Sequence, residues 1–344
     1  MQEIYWGMIG CGDVAERKSG PAFQNVAHSH LVAVTSRSHE RTLDYARRHH
    51  VPRAYEDAEE LMRDPEINAV YIATPPDSHM EYTVRAARAG KAVYVEKPMA
   101  RTHAECQVMI SACHSAGVPL FVAYYRRCLP AFVKIKELVD GGAIGAVRFV
   151  SVRLYHPPRP DDTNQGAPSW RVLPEISGGG HFYDLASHQI DYLDYLLGPF
   201  RAASSHTANQ ARLYAPEDSI SASWSHAGGA LGSGMWCFTV APEQQTDRAE
   251  IVGNRGRITF SFFEQFPVVL ETGKGIEEFF FPRKDPIQQA LIERVVMALR
   301  GYGTSPSTGV SAARANLVME QITRPALRLL SAPEERAAPE ERAA

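Results

Sequence analysis

The chain has 344 residues, 44% of them hydrophobic, and a formal charge of −3. That length makes two domains the default, and the apolar content is enough for two cores. Near-neutral charge with no long basic run argues against nucleic acid as a partner. No apolar run approaches the ~20 residues that cross a bilayer, and the start of the chain shows no signal-peptide pattern, so a cytoplasmic location is expected. The cysteines, Cys11, Cys106, Cys113, Cys128 and Cys237, are odd in number and lack a Cys-x-x-Cys pair. Neither a disulfide framework nor a metal site is expected from them.

Ile4 to Ile9 reads as a strand and runs into Gly10-Cys11-Gly12-Asp13-Val14-Ala15. This is a G-x-G-x-x-A turn. Gly10 permits the tight bend, Gly12 lets backbone approach a pyrophosphate, and Ala15 keeps helix and strand close. A helix after it aims its first amides at the phosphates. The second strand, Leu31 to Thr35, ends in Ser36-Arg37-Ser38, where an acid would otherwise bind the ribose hydroxyls. Ser36, Arg37 and, one turn later, Arg41 instead suit a 2′-phosphate, so NADP is expected, with NAD still possible. The alternative is that Arg37 is a solvated surface charge.

A strand at Ala69–Ala73 ends in Thr74-Pro75-Pro76-Asp77-Ser78-His79. The prolines stop it, Asp77 or Ser78 can cap the next helix, and His79 is either a ligand or a helix-start residue bonded to backbone. The next strand, Val93-Tyr94-Val95, closes on Glu96-Lys97-Pro98, which holds a lysine at a strand's carboxyl end. Helix (His103 to Ala116) and strand (Pro119 to Ala123) follow, so the alternation predicts a doubly wound parallel sheet. Cys106 and Cys113, seven apart, are read as buried helix packing.

The glycine turn at the start, Thr-Pro-Pro-x-x-His after one strand and Glu-Lys-Pro after the next resemble the glucose–fructose oxidoreductase / inositol dehydrogenase / rhizopine catabolism (Gfo/Idh/MocA) oxidoreductase family. The resemblance implies a Rossmann domain followed by an α+β domain with a large, mostly antiparallel open sheet. The expected division is 1–124, 125–330 with late helices returning to the Rossmann domain, and a mobile tail at 331–344. It also implies that the Lys97-Pro98 peptide is often cis, and that the family often dimerises through the second sheet, so a homodimer or homotetramer is expected.

In the second half a helix is expected from Pro130 to Val139 and a strand from Val147 to Tyr155. Ser169-Trp170-Arg171 follows a proline-rich loop. Related NADP-dependent sugar reductases place such a Trp-Arg pair against the cofactor, and the alternative is a tryptophan that anchors the loop. Gly178-Gly179-Gly180-His181-Phe182-Tyr183-Asp184 then opens a helix carrying Asp184 and His188 at i and i+4. Spacing alone also fits a surface ion pair. By the resemblance they are catalytic, with His188 as acid/base, Asp184 orienting the ring or the substrate hydroxyl, and Lys97 polarising the reacting oxygen.

Seven strand-like runs between Ala202 and Phe281 predict the antiparallel sheet, with Trp224, Trp236 and Phe238 as candidates for its outer face. Helices are expected at 285–299 and 310–330, the second interrupted near Pro325. The cofactor-binding set is then Gly10 to Val14, Ser36, Arg37, Arg41, Thr74, Pro75, Pro76, His79, Glu96, Lys97, Trp170 and Arg171. The substrate wall is Tyr125, Arg127, Trp170 and Arg171 beside Lys97, Asp184 and His188. The expected activity is NADP-dependent hydride transfer on a sugar, polyol or related diol. Ala123 and Ile287 replace polar and tyrosine positions of some sugar reductases, which leaves the substrate open. An NAD-retaining redox-neutral glycosidase and a non-catalytic nucleotide sensor are the alternatives; Arg37 argues against the first, and Lys97 with Asp184 and His188 against the second.

Overall fold

A computed structural model describes residues 1–324 apart from 163, 165 and 167. The expected tail, and the last helix beyond Arg324, lie outside the described residues.

Short apolar strands alternate with helices through the first third. β1 (Ile4–Ile9), β2 (Ser29–Thr35), β3 (Arg53–Ala54), β4 (Ala69–Ile72), β5 (Ala92–Val95) and β6 (Leu120–Val122) form one parallel sheet in the order β3-β2-β1-β4-β5-β6. The order reverses between β1 and β4, which opens a crevice at the strands' carboxyl ends. Helices α1 (Gly20–Asn25), α2 (His39–Arg48), α3 (Ala58–Arg63), α4 (His79–Arg88) and α5 (His103–Ser115) provide the crossovers. Ser38, Asp57 and Thr102 cap α2, α3 and α5. Ser78 does not cap α4: a single 3-10 turn intervenes, and its hydroxyl turns back onto Thr74 and Pro75. Every residue of β5 is buried, and the Lys97–Pro98 peptide is cis.

α6 (Pro130–Asp140) leads into the second layer. β7 (Val147–Tyr155), β8 (Phe200–Ala208), β9 (Ser219–His226), β10 (Leu231–Cys237), β11 (Thr246–Gly253), β12 (Gly256–Phe260), β13 (Val268–Thr272) and β14 (Gly275–Phe279) form a sheet ordered β14-β13-β12-β11-β7-β10-β9-β8. Only the β7–β10 pairing is parallel. α7 (Pro174–Ser177) and α8 (Ser187–Leu197) lie between β7 and β8 in the chain.

The expected outer-face residues Trp224, Trp236 and Phe238 are instead buried. Trp236 Nε1 donates to Gln189 of α8 at 2.6 Å. Gly232 and Gly234 make room, since a Cβ on either would collide with a tryptophan ring. The opposite face carries Phe149 and Leu231, adjacent in register and 45% and 60% exposed.

The chain then returns to the first sheet. Leu291, Ile292, Val295 and Val296 of α9 (Gln289–Leu299) join the core of Trp6, Phe23 and Tyr94. The segment before α10 (Gly309–Thr323) meets the β6 edge through an isolated bridge between Thr308 and Phe121, where Ser307 Oγ donates to Val122 O at 2.7 Å. Among the described residues no helix is long and apolar enough to cross a membrane.

Arg127 was expected on the substrate wall, but it is a structural strut. Its Nε and Nη2 donate to the two oxygens of buried Asp191 on α8, and Nη1 reaches Pro306 O and Ser311. Removing one partner strands the other charge in the interior. Arg127→Met is expected to lose about 3–5 kcal/mol of unfolding free energy in urea denaturation; a loss below ~0.5 kcal/mol would show the pair to be dispensable.

Burial, as the first cause, lowers the pKa of His79, His156, His181, His188 and His226. The unfolded chain therefore binds protons near pH ~6.5 before the native state does. Stability from these groups is complete above that pH and is lost as pH falls through the lower folded values. A urea midpoint that drops between pH 8 and pH 5.5 is expected; a rise would contradict this reading.

Candidate active site

The sheet's crevice and the start of α8 enclose one cleft of about 900 Å³. At its floor the glycine turn behaves as its sequence requires. Gly10 has φ +109°, and a Cβ there would stand 2.8 Å from Ala73 backbone. A Cβ on Gly12 would meet open space, so backbone there is accessible to a large group. Cys11, Asp13 and Val14 line the same floor. Burial pushes the Cys11 thiol up to about 12, which makes it an inert wall.

At the β2 end, Ser36 Oγ donates to Ser38 O at 2.9 Å and lies 2.8 Å from Thr42 Oγ1. Its hydroxyl is thus spent on the local turn. Arg37 and Arg41 line the cleft, and neither guanidinium has an acidic partner among the described residues. Glu56 and Asp57 also reach this end, with Asp57 occupied as the α3 cap.

Thr74, Pro75 and Pro76 form the adjoining wall. His79 does not reach the cleft. It is fully buried beneath it, with Nε2 2.8 Å from Thr74 O and Nδ1 3.1 Å from Pro98 O and 3.2 Å from Met99 O. It joins the Thr-Pro-Pro loop to the Glu-Lys-Pro loop. Glu96 lines the cleft, but Tyr71 Oη and Gln288 Nε2 each donate to its Oε1 at 2.6 Å, and Lys97 N donates to Oε2 at 3.2 Å. Tyr94 Oη donates to Gln288 at 3.1 Å.

Lys97 Nζ donates to Asp184 Oδ1 at 2.7 Å and to Asp184 O at 2.9 Å. Arg171 Nε donates to Asp184 Oδ2 at 3.1 Å and its guanidinium lies 4.6 Å from the Trp170 ring centroid. Burial would raise the Asp184 carboxyl, but Lys97 and Arg171 hold it well below the usual carboxylate range. Asp184 sits in a π-helical turn, Phe182–Ala186, that widens the entry to α8. Asp184 and His188 both line the cleft, but the carboxylate bonds Lys97 and Arg171 and does not orient the His188 ring.

His188 stands edge-on to Tyr125, with ring centroids 5.1 Å apart, and Phe263 is beyond it at 6.1 Å. Its Nδ1 is sealed and has no hydrogen-bond partner among the described residues. Burial first, then Arg126, Lys97 and Lys18, lower its pKa well below the usual value, so the ring is neutral at pH 7. Tyr125 Oη accepts from Arg126 Nη1 at 3.2 Å.

Every expected site residue except His79 and Arg127 faces this one cleft. Lys18, Arg159, Phe263 and Gln288 also line it and were not anticipated. Only Lys18 left a local signal, a basic residue in the helical stretch Ala15–Ser19 that follows the glycine turn. The others arrive from distant sequence.

The N-terminal model of the family described as "Oxidoreductase family, NAD-binding Rossmann fold" matches residues 4–124, and its C-terminal domain model matches 132–259. An oxidoreductase of Formosa agariphila is 37% identical over 92% of this chain and 97% of its own. A levoglucosan dehydrogenase of Pseudarthrobacter phenanthrenivorans is 34% identical over 60% of this chain and 54% of its own. The structure is similar to an aldose–aldose oxidoreductase of Caulobacter crescentus complexed with glycerol, with TM-score 0.84 and 25% identity over 94% of this chain and 97% of that one. The glycine turn, the Glu-Lys-Pro strand end, both domain matches and the end-to-end relative agree: the chain belongs to the Gfo/Idh/MocA family of NAD(P)-binding oxidoreductases.

Proposed function

We propose that the protein is an NADP(H)-dependent oxidoreductase acting on a hydroxyl- or carbonyl-bearing carbon of a sugar, polyol or related diol. The observation that carries this is the Lys97–Asp184 pair in the same cleft as the glycine turn. Relatives named levoglucosan dehydrogenase, 1,5-anhydro-D-fructose reductase and trans-1,2-dihydrobenzene-1,2-diol dehydrogenase support the substrate class.

The residues present fit a dinucleotide. The open side of Gly12 admits a pyrophosphate, the π-helical stretch Ala15–Ser19 follows the turn directly, and Arg37 with Arg41 supplies charge without an acidic partner among the described residues for a 2′-phosphate. When bound, the nicotinamide accepts or delivers the hydride. Lys97 is an ammonium with three donors, two of them committed to Asp184. The third is free to bond the reacting oxygen and to stabilise charge that develops there. Asp184 holds that ammonium in place at the cleft. His188, neutral beside Lys97, accepts the hydroxyl proton when an alcohol is oxidised and returns it in reduction. Tyr125, Phe263 and Trp170 exclude water around the exchange.

Nicotinamide absorbance with NADP⁺ or NAD⁺ and a panel of sugars, inositols and diols tests this. Turnover is expected with NADP⁺, and Lys97→Met should lower kcat/KM by about 10²-fold or more. No net signal, with NAD(H) released on denaturation, would favour a redox-neutral glycosidase instead. Arg37→Ala should raise the KM for NADPH about tenfold and leave NADH less affected; equal wild-type affinity for the two would sink the NADP assignment. We also infer that the Phe149–Leu231 face is covered by a second copy of the chain. A monomer mass by light scattering at micromolar concentration would refute that.

A further inference from the structure

The catalytic end of the cleft holds more positive charge than hydride transfer requires. Lys18, Lys97, Arg159 and Arg171 line it. Two carboxylates oppose them. Asp184 is shared by Lys97 and Arg171, and Glu96 is saturated by Tyr71, Gln288 and the Lys97 amide. Lys18 and Arg159 have no carboxylate partner among the described residues. Arg171 gives Asp184 only its Nε, at 3.1 Å, and its terminal nitrogens have no hydrogen-bond partner among the described residues.

The surplus acts on the neighbouring groups. Burial should raise the Tyr125 phenol, yet Arg126, Lys18 and Lys97 bring it below its usual value. Arg159 joins Lys97 and Arg171 in holding the Asp184 carboxyl down. One charge suffices for an oxygen that becomes alkoxide-like, and the free Lys97 proton supplies it. Dinucleotide phosphates are served by the glycine turn and, at the far end, by Arg37 and Arg41. Two guanidiniums from the loop that faces Asp184 are left over. Their planar, fixed donors match a carboxylate, and the excess of cations over carboxylates at this end of the cleft concentrates anions.

Resting on the dehydrogenase reading above, we infer that the substrate is anionic, a sugar or polyol that bears a carboxylate gripped by Arg159 and the open edge of Arg171. The carboxylate is a spectator. A hydroxyl-bearing carbon of the same substrate gives a hydride, two electrons and one proton, to the oxidised nicotinamide. The hydroxyl proton passes to His188 and a carbonyl remains. No other oxidant is needed. A sugar phosphate offers the same charge, and the experiment separates the two.

The test compares D-glucuronate, D-galacturonate and D-gluconate with D-glucose, D-galactose and D-glucose 6-phosphate, on the cofactor-loaded wild type and on Arg159→Met. Turnover is followed by absorbance and binding by calorimetry. The acids should exceed their neutral parents in kcat/KM by about tenfold or more, with the advantage shrinking as salt rises. R159M should raise KM for the acids about tenfold with little change in kcat, so that the acid-to-neutral ratio falls. Neutral sugars turned over as well as or better than the acids would overturn the inference while the dehydrogenase reading stands. So would a preference for the phosphate, or an equal effect of R159M on acid and neutral substrates. Acids that bind but never turn over would support the anion site and fail the dehydrogenase reading. Acids that neither bind nor react would overturn the inference.

Discussion

Two halves of the molecule meet in the ion pair between Lys97 and Asp184. Lys97 is fixed by the fully buried strand it follows; Asp184 is fixed by the wide helical turn that leads into α8. Both side chains are more than four-fifths covered, so their attraction is poorly screened and an unmatched partner is costly. Arg171 leans on the other carboxylate oxygen and so brings the Trp170 loop to the same point. One turn or so along α8, Asp191 receives Arg127. The relative placement of the two sheets and the placement of the charged groups in the cleft are therefore one geometric problem, solved at one helix.

The lysine's footing is itself a buried polar network. Glu96 accepts from Tyr71, Gln288 and the Lys97 amide, and Tyr94 secures Gln288. Each donor except the amide reaches in from an element that has its own packing duties. Below this, His79 ties the carbonyls of two neighbouring loops. Together they stiffen the strand end that presents the ammonium, and this keeps its third donor aimed at the cleft.

The strands and the glycine turn were legible because their signals are local: apolar runs bounded by glycine and proline, in the required order. Most of the cleft was legible too, through the Glu-Lys-Pro and Asp-x-x-x-His patterns and the family they resemble. The failures concern direction and distance. Arg126 and Arg127 are adjacent, and the tight turn Tyr125–Cys128 decides which one finds Asp191. Trp224 and Trp236 follow strand alternation faithfully, but alternation does not say which face is covered; Gly232 and Gly234 beneath the rings do, once seen in register. His79 depends on carbonyls about twenty residues ahead, and Gln288 on a carboxylate 192 residues behind. Spacing placed Asp184 and His188 together but could not show that Lys97 and Arg171 would claim the carboxylate.

α9 supplies apolar residues to the core that holds Trp6 and Phe23, and Gln288 beside it completes the Glu96 network. The nucleotide-binding layer is thus discontinuous along the chain. A ribosome making this protein releases all six parallel strands early, yet one face of their sheet, covered in part by α1 and α2, is not fully covered until residues 289–299 emerge. In the interval the whole second domain must be synthesised beside a partly covered aromatic surface. The domain that begins first is finished last, and the growing chain has to keep that surface from sticking elsewhere until its own late helix arrives.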